Sequence, residues 1–114
     1  MSNQTRALAY LSHYAQKNLA DVAAMFADDI VLRDWKILVR GKVAAVHETE
    51  KNFAAAHSIS IQTLHLYEND HNTVAAELKI VVNGNEELYV VDVISFNDDG
   101  KIQAIRAYLG RGDE

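Results

Sequence analysis

The stretch of sequence that decides the fold is residues 87–97, which read ELYVVDVISFN. β-Branched and aromatic residues dominate it, as is typical of a β-strand. Side chains alternate between the two faces of a strand. One face would carry Leu88, Val90, Asp92, Ile94 and Phe96. The other would carry Glu87, Tyr89, Val91, Val93 and Ser95. The first face is the predicted core face, and Asp92 is its only polar member.

Further strands with short connections surround this segment. We predict strands at 59–68, 73–82, 87–97 and 101–110. The connections between them are rich in Asn, Asp and Gly, the residues that form hairpin turns. Consecutive strands joined by short turns pair as an antiparallel meander. The second half of the chain therefore predicts a mainly antiparallel sheet.

The first half of the chain has helical periodicity. Helices are predicted at 3–17, 19–27 and 42–57. Between the second and third, residues 30–35 alternate like a short strand, with Ile30, Leu32 and Asp34 on one face. Helices followed by a meander indicate an α+β fold, in which three N-terminal helices pack on a strongly curved sheet. The space between the helices and the sheet is the predicted pocket.

The composition narrows the class of protein. A chain of 114 residues, 49% apolar and 24% charged, predicts one globular domain spanning residues 1–114. The formal net charge of −5 and the scattered basic residues argue against nucleic acid and anionic membranes as partners. The sequence has no cysteine, no signal-like N-terminus and no apolar run of membrane-spanning length, so we predict a cytoplasmic location. We predict no metal site and no cofactor.

Two aspartates on inward faces carry the predicted chemistry. Burial disfavours the charged form of a carboxyl group and raises its pKa, so Asp92 would be neutral and could donate a hydrogen bond. Asp34, in a wetter position, would stay ionised and could act as a base. Two carboxyl groups whose pKa values are pushed apart form an acid–base pair. The structural alternative is that Arg106, on the neighbouring strand, pairs with one of these carboxylates.

Two segments resemble the ketosteroid isomerases, a branch of the nuclear transport factor 2-like (SnoaL-like) superfamily. Residues 19–29, LADVAAMFADD, resemble the second helix of that family and its exit, and residues 92–107 resemble its last hairpin. The resemblance implies a cone-shaped fold that encloses one pocket. It also implies that Asp34 is the general base, and that Tyr10 and a protonated Asp92 form the oxyanion hole, as in the known mechanism of that family.

The resemblance further implies a ligand and its contacts. The expected substrate is a small apolar carbonyl compound, isomerised or cleaved through an enolate. The side chains expected to bind it are Tyr14, Phe26, Trp35, Phe53 and Arg106. A homodimer is also expected, because Tyr89, Val91 and Val93 form an apolar outer strand face and this family commonly pairs through its sheet.

Two departures from the family's pattern keep a second interpretation open. Trp35-Lys36 replaces the proline that commonly follows the base aspartate, and residues 47–50, His-Glu-Thr-Glu, replace aromatic residues near the start of the third helix. The alternative function is therefore a non-catalytic module that binds a small molecule or dimerises. A metal site formed by His47, Glu50 and His57 is the less favoured interpretation of that helix, because a solvated polar face explains the same residues.

Overall fold

Three helices and six strands form the fold in the computed structural model, which describes residues 1–112. The helices are α1 (Asn3–Ala15), α2 (Leu19–Met25) and α3 (Lys42–Ala55). The strands are β1 (Phe26–Arg33), β2 (Leu38–Arg40), β3 (Ile59–Glu68), β4 (Thr73–Val82), β5 (Glu86–Phe96) and β6 (Ile102–Leu109). The predicted α+β class with three helices and a mainly antiparallel sheet is confirmed.

The first two helices begin at side-chain caps. The side-chain oxygens of Ser2 and Asn18 each accept a hydrogen bond from a backbone N–H in the first turn of α1 and α2. α1 ends at Ala15, earlier than predicted, because Lys17 has a left-handed φ of 57° that a helix cannot continue through. The chain therefore turns sharply between α1 and α2, and the two helices pack against each other.

The six strands form one curled, unclosed sheet in the order β2-β1-β6-β5-β4-β3. Strands β3 to β6 pair antiparallel with their neighbours in sequence, which confirms the predicted meander. Strand β1 lies parallel to β6, and β2 pairs antiparallel with the other edge of β1. Helix α1 packs on β3 and β4, while α3 packs on β1 and β2. The two helices thus cover opposite ends of the concave face.

The first strand begins and ends earlier than predicted. The periodicity predicts a strand at 30–35, whereas β1 begins at Phe26 and ends at Arg33. Phe26 pairs with Ile102 on β6, so a contact distant in sequence sets where β1 begins. β2 was not predicted, because a strand of three residues has too little periodicity to recognise.

The turns of the meander have the predicted chemistry. Between β4 and β5, Asn83 and Gly84 both have positive φ angles, 56° and 76°. The N–H of Asn85 donates to the carbonyl of Val82 at 3.2 Å and closes a turn with these two residues at its centre, within a three-residue loop between Val82 and Glu86. Gly100, before β6, has a φ of 77°. Asn and Gly adopt this conformation at least cost, so local sequence fixes the register of β4, β5 and β6.

The hydrophobic core lies between the helices and the concave face of the sheet. Its largest fully buried side chains are Val22, Ile30, Val74, Leu78, Ile94 and Ile102. Burying each such side chain contributes about 1.5–3 kcal/mol to folding. These residues come from α2 and from four of the strands, so the core joins both halves of the chain and holds the concave face in position around a cavity.

Candidate active site

A cavity of about 420 Å³ lies between α1, α3 and the concave face of the sheet. Its walls are largely apolar, with Ile61, Ile80, Leu88 and Ile105 among the side chains that line it. Tyr10, Tyr14, Asp34 and Asp92 also line it, and each carries a hydroxyl or carboxyl group. An apolar cavity of this volume with a few polar groups has the character of a small-molecule site.

Asp92 lies in the middle of β5 and lines this cavity. Its neighbours across the sheet are Ala76 and Ala107, which leave space around the carboxyl group and offer it no side-chain hydrogen bond. The side chain is partly accessible from the cavity, although protein surrounds it. Burial raises the pKa of Asp92 to about 7, and the charge of Asp34 adds to the rise. A large share of Asp92 is therefore protonated at neutral pH.

Tyr10 projects from α1 into the same cavity. Only 4% of its surface is exposed. Burial raises its pKa well above the usual value, and the charges of Asp92 and Tyr14 raise it further. Its ring lies 5.9 Å from that of Tyr14 and 6.3 Å from that of Phe26, between centroids. The hydroxyl of Tyr10 is therefore a neutral donor on a ring fixed by its neighbours.

Asp34 lies in a turn directly after β1. Its Oδ1 accepts hydrogen bonds from the backbone N–H groups of Lys36, at 2.7 Å, and Ile37, at 2.9 Å. The N–H of Asp34 donates to the carbonyl of Ile37 at 3.0 Å. These hydrogen bonds turn the chain, so β1 ends before the predicted residue 35. In a longer strand the same backbone groups would pair with a neighbouring strand instead. The turn also fixes the carboxyl group at the cavity wall.

Tyr14 is the second tyrosine of α1 that lines the cavity. Its hydroxyl accepts a hydrogen bond from Nδ2 of Asn52 on α3 at 3.2 Å. Its ring makes an edge contact with Phe53, with centroids 4.9 Å apart and planes at 73°. Burial raises the pKa of Tyr14, the hydrogen bond from Asn52 lowers it, and the charges of Asp92 and Asp34 raise it. Tyr14 thus joins α1 to α3 beside the two aspartates.

These four groups interact electrostatically. The charge of Asp34 acts on Asp92, the charge of Asp92 acts on Tyr10, and both aspartates act on Tyr14. Interactions of this kind are strong only between groups that are close together in a protein interior. The cluster combines one aspartate in a polar turn with three groups that can donate an O–H. Such a set can remove a proton beside a carbonyl and stabilise the resulting oxyanion.

The five side chains predicted to bind the substrate do not all reach the cavity. Tyr14 and Trp35 line it, and Trp35 lies at the rim with 43% of its surface exposed. Phe26 and Phe53 are buried and pack against the tyrosine rings, so they support the cavity wall from behind. The aromatic side chains therefore form two layers, of which only the first can contact a ligand.

Arg106 lies outside the cavity, which corrects its predicted contact with the ligand. In the ladder between β5 and β6 it is opposite Val93, whereas Asp92 is opposite Ala107. Its sequence neighbours Ile105 and Ala107 line the cavity. Because successive side chains point to opposite faces, Arg106 lies on the convex face. The suggested pairing of Arg106 with Asp92 is excluded for the same reason.

Several polar residues that line the cavity were not predicted from the sequence. They are Lys36, Glu48, Thr49, Asn52, Asn83 and Glu86. Residues four apart share one face of a helix, so the spacing of Glu48 and Asn52 was a signal that could have indicated this face of α3. The buried hydroxyl of Thr49 donates to the carbonyl of Ala45 at 2.9 Å, which satisfies it within the helix.

Within residues 1–112, no group of three or more His, Cys, Asp or Glu side chains is arranged to hold a metal ion. His47, Glu50 and His57 therefore do not form such a group. The same part of the chain forms no helix long and apolar enough to cross a bilayer.

Comparison with known proteins identifies the family. Residues 7–105 match the model of the SnoaL-like domain family. A steroid Δ-isomerase of Nocardioides simplex is 32% identical over 109 residues, an alignment that covers 91% of this chain and 86% of that protein. The chain belongs to the SnoaL-like domain family. Within that family, it belongs to the ketosteroid isomerase-like branch, which confirms the resemblance drawn from the sequence.

Solved structures share the fold at low sequence identity. A candidate ketosteroid isomerase of Kribbella flavida has a TM-score of 0.83 at 14% identity, covering 98% of this chain and 80% of that one. SalBIII, an epoxide hydrolase/cyclase-like enzyme, has a TM-score of 0.83 at 20% identity, covering 95% and 90%. An NTF2-like protein of unknown function from Cytophaga hutchinsonii has a TM-score of 0.82 at 13% identity, covering 96% and 91%. These likenesses concern the fold alone.

Proposed function

We propose that this protein is a ketosteroid isomerase-like enzyme that transfers a proton within a small apolar carbonyl compound, by isomerisation or lyase chemistry through an enolate. The observation that carries the proposal is the placement of Asp34, Tyr10 and Asp92 on one apolar cavity, with the pKa of Asp92 raised to about 7. The curated relative of known reaction type, the steroid Δ-isomerase, supports the same class.

In the proposed isomerisation, Asp34 removes a proton from the carbon beside the carbonyl. The electron pair moves into the carbonyl oxygen, which becomes an enolate oxygen. Tyr10 and protonated Asp92 donate hydrogen bonds to this oxygen, and these bonds strengthen as negative charge develops. Asp34 then transfers this proton to the γ-carbon. The double bond moves into conjugation with the carbonyl, and Asp34 is again a carboxylate.

The cavity favours a small and mainly apolar substrate. Its volume of about 420 Å³ is near the lower end of the range for small-molecule sites. Ile80, Leu88 and Ile105 offer no hydrogen bonds, so most of the ligand surface would be buried by apolar contact. Trp35, which lines the cavity and is partly exposed, would contact the part of the substrate that extends outward.

The proposal is tested by assaying isomerisation of 3-oxo-Δ5 steroids and of smaller β,γ-unsaturated ketones. At least one of these compounds should be converted by the wild type. Asp34→Asn should lower kcat by a factor of 10² or more, on the order of what general base catalysis contributes. Asp99→Asn, an exposed aspartate in the turn before β6, is the matched control and should keep full activity. If wild type and Asp34→Asn are equally inert on every compound, the proposed mechanism is wrong.

A non-catalytic module that binds a small molecule or dimerises is the second candidate function. The turn after β1 favours it, because Oδ1 of Asp34 already accepts two backbone hydrogen bonds and is less free to accept a substrate proton. Ligand binding without turnover would identify this function. In that case Asp34→Asn should leave the affinity for a bound ketone nearly unchanged, because the base would have no role.

We also propose that the protein is a homodimer that pairs through the convex face of the sheet. Tyr89, Val91 and Val93 lie side by side on this face of β5, away from the cavity. An apolar strand face of this kind is the usual centre of a protein interface. Two further statements stay predictions from the sequence: the protein is cytoplasmic, and it binds neither nucleic acid nor membranes.

A further inference from the structure

The Tyr14–Asn52 pair gives the cavity a polar group that the proposed mechanism does not use. Nδ2 of Asn52 donates to the hydroxyl oxygen of Tyr14 at 3.2 Å, and both side chains line the cavity. Within residues 1–112, the Tyr14 hydroxyl makes no other hydrogen bond. The phenolic oxygen is therefore occupied as an acceptor, while its own O–H remains available as a donor.

The direction of this hydrogen bond determines what Tyr14 can offer a ligand. An amide N–H can only donate, so the phenolic oxygen must accept it and the phenolic proton must point elsewhere. A hydroxyl that accepts a hydrogen bond also becomes a stronger donor, because hydrogen bonds in a chain polarise one another. Asn52 thus both orients the Tyr14 hydroxyl and strengthens it as a donor.

The position of Tyr14 separates it from the proposed oxyanion site. Tyr14 follows Tyr10 by four residues on α1, so the two side chains are about one helical turn apart on the same face. Their ring centroids lie 5.9 Å apart. The edge contact with Phe53 holds the Tyr14 ring on the side of the cavity formed by α3. An oxygen held by Tyr10 and Asp92 would leave this second donor facing another part of the ligand.

We propose that the Tyr14 hydroxyl, positioned by Asn52, binds a second oxygen atom of the substrate. The protein then selects carbonyl compounds that carry a further hydroxyl or oxo group over compounds with one oxygen. The proposal rests on the proposed function for the site of the first oxygen, at Tyr10 and Asp92. Asn52 is a positioning residue that acts through Tyr14, and Tyr14 determines specificity.

The test compares two simple probes, phenol and resorcinol, which differ by one hydroxyl group. The meta arrangement in resorcinol separates its two oxygens by about the spacing of neighbouring side chains on one helix face. Affinities are measured by titrating each probe into labelled protein and following the amide resonances. The wild type should prefer resorcinol by about fivefold, the effect of one net hydrogen bond. Tyr14→Phe should lose that preference and keep its affinity for phenol.

The Asn52 variants test the direction of the hydrogen bond. In Asn52→Asp the new carboxylate accepts the Tyr14 proton, so the donor is withdrawn from the cavity and the resorcinol preference should vanish as in Tyr14→Phe. Asn52→Ala should keep part of the preference, because the hydroxyl is no longer oriented but can still donate. Asn52→Ala combined with Tyr14→Phe should be no worse than Tyr14→Phe alone. Ala54→Asp adds the same charge to an exposed position outside the cavity and should behave as wild type.

Three results would overturn the inference. They are a wild type that binds neither probe or binds both equally, an Asn52→Asp variant that keeps the preference, and additive losses in the double variant. The outcome is independent of turnover, because phenol and resorcinol are not isomerised. Asp34→Asn should lower kcat for isomerisation by a factor of 10² or more and keep the resorcinol preference. An inactive wild type that still shows the preference would therefore refute the proposed function and leave this inference intact.

Discussion

At the scale of single residues, the small size of its neighbours determines the surroundings of Asp92. Ala76 and Ala107 flank it across the sheet and leave room for a ligand atom beside its carboxyl group. A buried carboxylate without a partner is unfavourable, and protonation removes that penalty. The charge of Asp34 acts in the same direction. Burial and one nearby negative charge therefore favour the neutral form of Asp92.

The raised pKa of Asp92 predicts how stability depends on pH. The folded protein binds this proton with a pKa of about 7, against 3.8 for the unperturbed side chain. Between these values the folded state holds more proton than the unfolded state, so the free energy of unfolding falls as pH rises from about 4 to about 7. The contribution of Asp92 is roughly 4 kcal/mol over this window, at about 1.4 kcal/mol for each unit of pKa shift.

Chemical denaturation of wild type and Asp92→Asn at pH 5 and pH 8 checks this dependence. The neutral amide cannot titrate, so the stability of the variant relative to wild type should rise from pH 5 to pH 8. Asp98→Asn, in an exposed turn, is the control and should follow wild type at both pH values. A constant difference between Asp92→Asn and wild type would show that Asp92 has an ordinary pKa in the folded state.

The residue types of the site could be predicted from the sequence, but their surroundings could not. Strand alternation placed Asp92 inward, helical spacing did the same for Tyr10, and both line the cavity. The predicted placement of Arg106 in the cavity is wrong by one position, because the partner of Asp92 on β6 is Ala107. The register between two strands cannot be read from one strand alone. Asn52 was missed because its one signal, the four-residue spacing from Glu48 on α3, fits a solvated helix face equally well.

At the scale of elements, the turn between β4 and β5 joins two strands and also binds the connection between α3 and β3. Oδ1 of Asn83 accepts hydrogen bonds from the N–H groups of His57, at 2.7 Å, and Ser58, at 3.3 Å. The N–H of Asn83 donates to the carbonyl of Ser58 at 2.9 Å. The turn is therefore tied to the connection between α3 and β3, at the end of the cavity that Asn83 lines.

Replacing this turn residue should destabilise the fold. Asn83→Ala loses an acceptor for two backbone N–H groups and places alanine at a φ of 56°, so we expect a loss of about 2 kcal/mol in the free energy of unfolding. Urea denaturation measures it. Asn85→Ala in the same turn removes an exposed side chain for which no hydrogen bond is found within residues 1–112, and it should cost less than about 0.5 kcal/mol. Equal losses for the two variants would contradict this role of Asn83.

The elements differ in how far local sequence determines them. The bounds of β3 and β4 match the predicted 59–68 and 73–82, because turn residues with special φ preferences mark where they begin and end. The bounds of β1 depend on parallel pairing with β6, which is formed by residues more than half the chain away. Its end depends on the turn made by the Asp34 side chain. Neither influence is visible in the periodicity of the segment itself.

At the scale of the whole molecule, the curled sheet gives the chain two faces with different roles. The concave face holds the core and the cavity, whereas the convex face carries Val91 and Val93 beside charged residues such as Glu77 and Arg106. Arg33 and Tyr108 also meet on this face through a hydrogen bond and a cation–π contact. A mixed surface with an apolar centre suits a dimer that pairs sheet against sheet.

The dimer proposal predicts a mass of two chains in light scattering at micromolar concentration. Val91→Lys should shift the protein to a monomer, because it places a charge at the apolar centre of the convex face. The lysine lies opposite Glu77 in the same sheet, so the fold of each chain should be kept. Val43→Lys makes the same substitution at an exposed position of α3 and should remain dimeric. A monomeric wild type would refute the proposal.

The most direct test of the central claim is the titration of Asp92 followed by ¹³C NMR of its side-chain carboxyl group, with the resonance assigned by Asp92→Asn. The account predicts an apparent pKa of about 7 in the wild type. It also predicts a lower pKa for Asp92 in Asp34→Asn, because that variant removes the negative charge that favours the proton. A pKa for Asp92 near 4 in both proteins would contradict the account, since Asp92 would then be ionised at neutral pH and could not donate a hydrogen bond to an enolate.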